Sequence, residues 1–301
     1  MFTPSPMLTV TVECRPDGST EIHLHGGGQG VWIARMVASF GLKVCVCAPF
    51  GGESGDVLTG LIEREGIDLH RIEMAAPNGA YVHDRRSGER VEVACVSPPP
   101  MERHELDDLY NAALVDGLDA DVVVLGGPDE PDVLDAGTYR RLATDLTTGG
   151  ATVVADLSGD HLFAVAEGGA AVVKASHEDL VTSGHAKSGE VKHLRRAIDE
   201  LASAGAQNVV ISRADEPALA LADGRMLEIS TPSFASIDHR GAGDSMTAGI
   251  AAGLALDCGI EDALRLGAAA GTLNATRRGL ATGEGDLVER LTERVTIRSV
   301  D

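Results

Sequence analysis

The segment Asp238-His239-Arg240-Gly241-Ala242-Gly243-Asp244-Ser245-Met246-Thr247-Ala248-Gly249 sets a turn of small residues in front of a helix rich in Ala and Gly. The first amides of a helix have no intrahelical partner and carry the positive end of its dipole. Small residues at 241–243 therefore let phosphate oxygens approach closely. Asp244, one step into the helix, stands where a carboxylate can accept the proton of an attacking hydroxyl. An anion hole beside a general base is the equipment of phosphoryl transfer. The residues also satisfy an architectural reading, because Asp is favoured in the first turn of any helix and Gly-Ala-Gly can serve only to pack that helix on a sheet.

These residues need a scaffold, and the pattern of the chain supplies one. The N-terminal third reads as a strand near 7–13, a short strand near 21–25, and the glycine cluster Gly26-Gly27-Gly28-Gln29-Gly30 opening a helix that stops at Gly41. A strand at 43–48, a helix at 54–65 and a strand from Leu69 follow. Residues 78–97 alternate around Asp84-Arg85-Arg86-Ser87-Gly88, the signature of a β-hairpin. This hairpin and the strand near 21–25 predict a small β lid, its strands at about 14–26 and 78–97.

From 104 onward helices and strands alternate: helix 104–116, strand 121–126, helix 137–148, strand 151–156, helix 160–167, strand 170–174, helix 189–204 and strand 207–212. A hairpin near 218–230 and helices near 242–256, 260–275 and 284–292 close the chain. The expectation is an α/β fold of three layers, a mostly parallel central sheet between helices, in one domain over 1–301.

With 301 residues and 44% hydrophobic content the chain can bury a large core, and only 3% of residues are aromatic. A net charge of −21 excludes a protein that wraps nucleic acid, but not one that binds a small anion through local amides, cations and a metal. The N-terminal residues have neither the basic start nor the apolar run of a signal peptide, and no apolar stretch is long enough to span a bilayer. Five cysteines without a C-x-x-C pair complete a cytoplasmic expectation. Cys45 and Cys47, alternating in Lys43-Val44-Cys45-Val46-Cys47-Ala48, read as buried strand residues rather than metal ligands. His23 and His25 alternate likewise on the short strand and are assigned to sugar contact or solvent.

The Asp238–Asp244 segment resembles the C-terminal signature of the ribokinase-like (PfkB) carbohydrate kinases, Asp-x-x-Gly-Ala-Gly-Asp before a small-residue helix. Gly27-Gly28-Gln29-Gly30 resembles their N-terminal Gly-Gly-Lys-Gly. Asp156-Leu157-Ser158-Gly159-Asp160-His161-Leu162 is similar to the Asp-x-Ser-Gly-x-x-Leu of the 1-phosphofructokinase and tagatose-6-phosphate kinase branch. The resemblance runs from about residue 8 to about 292. It implies a kinase that uses ATP and Mg²⁺, with Asp244 as catalytic base and Gly241, Ala242 and Gly243 as the anion hole. It assigns Gly27, Gly28, Gln29, Glu13 and Arg240 to the substrate, Lys174, Ser176, Ser212, Arg213 and Gly279 to the nucleotide, and Asp179, Glu178 and Asp238 to metal. A monovalent cation near Asp238 and the loop 276–282, and a homodimer joined through the lid strands, are further implied features.

The chain also departs from the pattern. Gln29 replaces a substrate-facing Lys, so a fixed positive charge is lost. The family's Lys-Pro-Asn-x-x-Glu stands here as Lys174-Ala175-Ser176-His177-Glu178-Asp179. The nucleotide turn, Ser212-Arg213-Ala214-Asp215-Glu216-Pro217-Ala218, has lost two glycines and with them the ready access to positive φ. The lid lacks the usual Arg, with Arg85, Arg86 and Arg90 nearby, and Glu13 is only the nearest acidic residue to the first strand. Arg240 fits either a phosphate-facing role or an outward salt bridge. The expected function is transfer of the γ-phosphoryl group of ATP to a hydroxyl of a sugar or sugar phosphate. The alternatives are a ligand-binding homologue with weak catalysis, and a kinase for a nucleoside or other uncharged polyol.

Overall fold

The computed structural model describes residues 1–300 apart from 129–132, 233–239, 278–280 and 282. In chain order a hairpin of β1 (Met7–Cys14) and β2 (Thr20–Gly27) leads into α1 (Gln29–Ser39), β3 (Cys45–Phe50), α2 (Gly52–Glu63) and β4 (Asp68–Glu73). A second hairpin, β5 (Ala80–Asp84) and β6 (Val91–Val96), precedes α3 (Arg103–Leu118), β7 (Val122–Gly126), α4 (Ala136–Thr148), β8 (Thr152–Asp156), α5 (Gly159–Glu167) and β9 (Val172–Ser176). Then come α6 (His177–Thr182), α7 (Val191–Ala204), β10 (Asn208–Arg213), β11 (Glu216–Ala222), β12 (Arg225–Ser230), α8 (Ala242–Ala255), α9 (Ile260–Ala275), α10 (Gly285–Thr292) and β13 (Thr296–Ser299).

The main sheet runs β13-β12-β11-β10-β9-β8-β7, parallel from β10 to β7 and antiparallel at the β13 edge. The parallel pair β3-β4 continues it, because Phe2 bridges both Cys47 of β3 and Leu125 of β7. That places Phe2, 1% exposed, in the core against Tyr139. One face of the sheet is covered by apolar residues of α3, α4, α5 and α7, the other by those of α1, α8, α9 and α10, which gives the expected three layers.

The lid is a separate four-stranded sheet of order β2-β1-β5-β6. Here the structure corrects the sequence reading: the strand near 7–13 lies in the middle of the lid, and Phe2 takes the place it would have had beside β3. The short helix α6 and the edge strand β13 were not foreseen either.

The Ala- and Gly-rich composition of α8 has a packing cause. A Cβ on Gly249 would lie 2.7 Å from the Gly267 Cα of α9, and one on Gly253 2.7 Å from the Ala263 Cα, so the two helices approach backbone to backbone. Gly249→Ala is expected to lower stability by about 1–3 kcal/mol through this overlap, despite its better helix propensity. Chemical denaturation checks it, and an unchanged midpoint would mean that the helices separate without cost.

Candidate active site

Helix α8 begins at the end of the sheet where the parallel strands finish, the usual place for ligands in open α/β folds. Its N-cap, Gly241, has φ 72 and no side-chain cap, so the chain enters the helix through a left-handed residue that glycine adopts without strain. Ser245 is the first residue whose amide reaches back, to the Gly241 carbonyl at 2.9 Å. The preceding amides of the helix are the ones available to an anion.

Beneath this turn lies a buried charge network. Lys174 on β9 and Asp156, the last residue of β8, are parallel neighbours, with Lys174 Nζ donating to Asp156 at 3.0 and 3.1 Å. Both side chains are 5% exposed. Thr247 Oγ1 of α8 donates to Asp156 Oδ2 at 2.6 Å and ties the helix to the sheet. A Cβ on Gly243 would stand 2.6 Å from Lys174 Nζ, so the ammonium is pressed against the glycine turn. Burial alone would favour neutral Lys174, but Asp156, Asp244 and Asp179 together hold its pKa above the ordinary value. Three carboxylates, Asp244 among them, thus act on one ammonium. Asp156 and Thr247 were missed as site residues in the sequence. The signal available was a pair of apolar strands, Val-Val-Ala-Asp156 and Ala-Val-Val-Lys174, each ending in an opposite charge.

The glycine cluster joins the same site. Gly28 is the N-cap of α1 at φ 89, and a Cβ there would meet the Ser5 carbonyl at 2.6 Å. Gln29 Oε1 accepts from the Gly127 amide at 2.6 Å, and Gly127 lies against Leu157 and the Asp156 carbonyl. One end of the Gln29 amide is therefore committed to the β7 loop. Gly27 packs on Thr9.

Glu13 is not brought to this cluster. It pairs with Glu21 far along the lid and lies 3.8 Å from Arg85. Four residues of extended strand, about 13 Å, separate it from Thr9. The lid residues that face inward are Thr9, Thr11, Tyr81 and His83, of which Thr9, Thr11 and His83 are 6%, 5% and 2% exposed. Thr11 Oγ1 and His83 Nε2 are 3.1 Å apart, while His83 Nδ1 is buried with no hydrogen-bond partner among the described residues. The alternation Thr9-Val10-Thr11-Val12 was the sequence signal for this polar face.

Burial first, then the positive charges of Arg90, Arg85, Arg240 and His25, push the His83 imidazole down to about 4. Arg240 is exposed and its charge acts on the lid. Its carbonyl accepts from Asn274 Nδ2 at 2.7 Å. Because the folded state resists protonating His83, its contribution to stability is complete above pH 6.5 and is lost as pH falls from 6.5 towards 4. The stability difference between wild type and His83→Gln is expected to change across that window, with a slope of up to about 1.4 kcal/mol per pH unit. Denaturant melts at several pH values measure it, and parallel curves would remove the assignment.

On the other side of the Gly241 turn a cavity of about 890 Å³ is lined by Lys174, Gly243, Ser176, Glu178, Ser212 and Arg213, with apolar walls from Ala218, Ile229, Met246 and Ala268. Its volume lies in the range of small-molecule sites. Ala214 at the β10–β11 turn has φ 49, so the turn keeps a left-handed residue although its glycines are gone, contrary to the sequence expectation. Glu216 turns outward, its side chain 70% exposed and 4.0 Å from Arg213, which also donates to the Pro217 carbonyl at 3.1 Å.

Ser176 caps α6 and forms a reciprocal box with Asp179. Ser176 Oγ accepts from the Asp179 amide at 3.0 Å, and Asp179 Oδ2 accepts from Ser176 Oγ and N at 2.6 and 3.1 Å. One Asp179 oxygen is therefore engaged. Asp238 and Gly279 lie outside the described residues.

A three-layer α/β fold with a β lid, a helix that opens on uncapped amides and a carboxylate in its first turn is the frame of the ribokinase-like phosphotransferases. The chain belongs to the pfkB family of carbohydrate kinases, whose model, described as "pfkB family carbohydrate kinase", matches residues 11–285. It is 26% identical over 278 residues to the ATP-dependent 6-phosphofructokinase isozyme 2 of Escherichia coli (strain K12), covering 90% of this chain and 89% of that protein. Identity to the 1-phosphofructokinase of Bacillus subtilis (strain 168) is 25% over 264 residues, covering 86% and 84%. The crystal structure of Escherichia coli phosphofructokinase-2 in complex with potassium superimposes with a TM-score of 0.85 at 22% identity, over 97% of this chain and 96% of that one. No helix among the described residues is long and apolar enough to cross a membrane.

Proposed function

We propose that this chain transfers the γ-phosphoryl group of ATP to a hydroxyl of a sugar phosphate, with Asp244 as general base. The observation that carries this reading is the meeting of Lys174, Gly243 and Asp244 at the N-terminus of α8, beside a cavity of about 890 Å³ that Lys174, Ala242 and Gly243 help to line. ATP occupies the cavity, with its phosphates toward the amides of Ala242 and Gly243 and toward Lys174, and Arg213 and Ser212 at the β10–β11 side. The acceptor lies beneath the lid against Thr9, Thr11 and the unpartnered His83 Nδ1. Asp244 takes the proton of the attacking hydroxyl, while the helix amides and Lys174 stabilise the charge on the moving group. Glu178 at the cavity wall and the second oxygen of Asp179 offer hard oxygen donors of the kind Mg²⁺ takes, and they would hold it. Mg²⁺ supplies neutralisation of phosphate charge when bound.

The acceptor is assigned as phosphorylated because the positive charges of Arg90, Arg85 and Arg240 all act on His83 at the inner face of the lid. A neutral polyol is the second reading, favoured by the engagement of Gln29 with Gly127. A panel of hexose phosphates, hexoses and nucleosides with ATP and Mg²⁺ decides between them. Preference for phosphorylated acceptors is expected, preference for neutral ones selects the second reading, and no ADP formation with any acceptor would remove both.

The chain also functions, in this reading, as one kinase domain dimerised through its lid. The outer lid face carries Ile22, Leu24 and Val96, exposed by 64%, 49% and 61%, beside Val10, Val12 and Val82, an apolar patch of the sort that marks an interface. A monovalent cation belongs near residue 238 and the loop 276–282. Support comes from the potassium in the phosphofructokinase-2 structure and from buried Asn274, which links the Arg240 carbonyl to the Ala281 amide at 2.7 and 2.8 Å. The cytoplasm is the proposed location, supported by five free cysteines.

A further inference from the structure

At the opposite end of the sheet from Asp244, a second cavity of about 410 Å³ is walled by the first residues of β3, β4 and β7 and by Ala251 and Ala255 of α8. Cys45 and Cys47 alternate along β3, so their thiols emerge on one face. The last turns of α3 bring Asp116 to them. Cys45 Sγ and Cys47 Sγ lie 3.6 and 3.4 Å from Asp116 Oδ2, and the three donor atoms are all within 4.8 Å of one another. His70 on β4, the register partner of Cys47, holds Asp116 Oδ2 through Nδ1 at 2.8 Å.

We propose that Cys45, Cys47 and Asp116 form a binding site for a thiophilic divalent metal of the zinc type, with His70 orienting Asp116 and a water from the cavity completing the coordination. Zinc at about 2.3 Å from sulfur and about 2.1 Å from oxygen, in tetrahedral geometry, puts those two ligands about 3.6 Å apart. The observed separations of 3.6 and 3.4 Å match this before any rearrangement. Two sulfurs make the set soft, which distinguishes it from the all-oxygen set near Lys174 and selects Zn²⁺ over Mg²⁺. Coordination releases the thiol protons to solvent. A carboxylate steadied by an imidazole is the common outer support of such centres. Asp68, Asp119 and Asp121 also line the cavity and give its mouth a negative field that attracts cations. The site is not the catalytic metal position, since the residues of α8 that reach it are seven to eleven positions past Asp244, about 10–17 Å along the helix.

The test is a Co²⁺ titration of the reduced, chelator-treated full chain, followed by thiolate-to-cobalt charge-transfer absorption. One Co²⁺ per chain is expected, displaced by Zn²⁺ but not by excess Mg²⁺. Cys45→Ser should remove most of the band and Asp116→Asn should weaken binding at least tenfold, with His70→Ala weakening it by about 10–100-fold. Cys47 is buried, so Cys45→Ser and the near-isosteric Asp116→Asn keep the test valid if Cys47→Ser does not fold. Absence of a charge-transfer band, or a band of full strength in Cys45→Ser and Asp116→Asn, would overturn the proposal.

Discussion

Asp244→Asn is expected to lower kcat by about 10²–10⁴-fold, the range set by loss of a positioned general base. The substitution keeps the shape of the side chain and its place in the first turn of α8, removing only the charge and the proton-accepting oxygen. KM for ATP should change little, because the lost interaction is made with the hydroxyl proton as it departs. Asp156 stays bonded to Lys174 in the variant, so the fold should tolerate the loss of the Asp244 charge, whose share through the helix dipole is about 0.3–1 kcal/mol. Turnover within a few-fold of wild type would return Asp244 to the architectural role that its position also permits. Steady-state kinetics beside a denaturant melt separates these outcomes.

The second large effect falls on the buried pair under the turn. Lys174→Met removes the partner of Asp156, which is 3% exposed and then keeps only the Thr247 hydroxyl. An uncompensated buried charge costs about 3–5 kcal/mol, so the single variant should be strongly destabilised. Replacing both partners, as in Lys174→Met with Asp156→Leu, should recover most of that stability, because it eliminates the stranded carboxylate. It should not recover turnover, because the ammonium against Gly243 is gone. Restored stability with no activity identifies Lys174 as catalytic machinery. Restored activity would reduce the pair to a structural brace. Near-additive destabilisation in the double variant would show that the pair is not coupled.

The alternation of strands and helices from 104 onward was legible because each strand there is a short apolar run closed by a turn signal, and each helix repeats apolar residues at helical spacing. The Gly241–Asp244 turn was legible because small residues before a helix have few other uses. What the sequence hid were features made by distant partners. Phe2 acts as a strand only because β3 and β7 leave a gap of its width. The strand near 7–13 pairs with β5, some seventy residues later, and so belongs to the lid. Asp156 and Lys174 are each a single charge after an apolar run until parallel pairing sets them side by side. Glu13 was the nearest acid in the sequence, yet the β1–β2 register carries it away from the glycines. Cys45 and Cys47 were correctly read as strand residues, but Asp116 stands beside them only after α3 folds over β3.

Phosphoryl transfer with Asp244 as base is the central step of the proposed reaction. It is tested by following ³¹P resonances of ATP, Mg²⁺ and the best hexose phosphate with wild type and with Asp244→Asn. ADP and a second phosphate ester on the sugar are expected with wild type, and neither on the same timescale with the variant. ADP and free phosphate without a new ester, or the same ester formed at equal rate by Asp244→Asn, would contradict it.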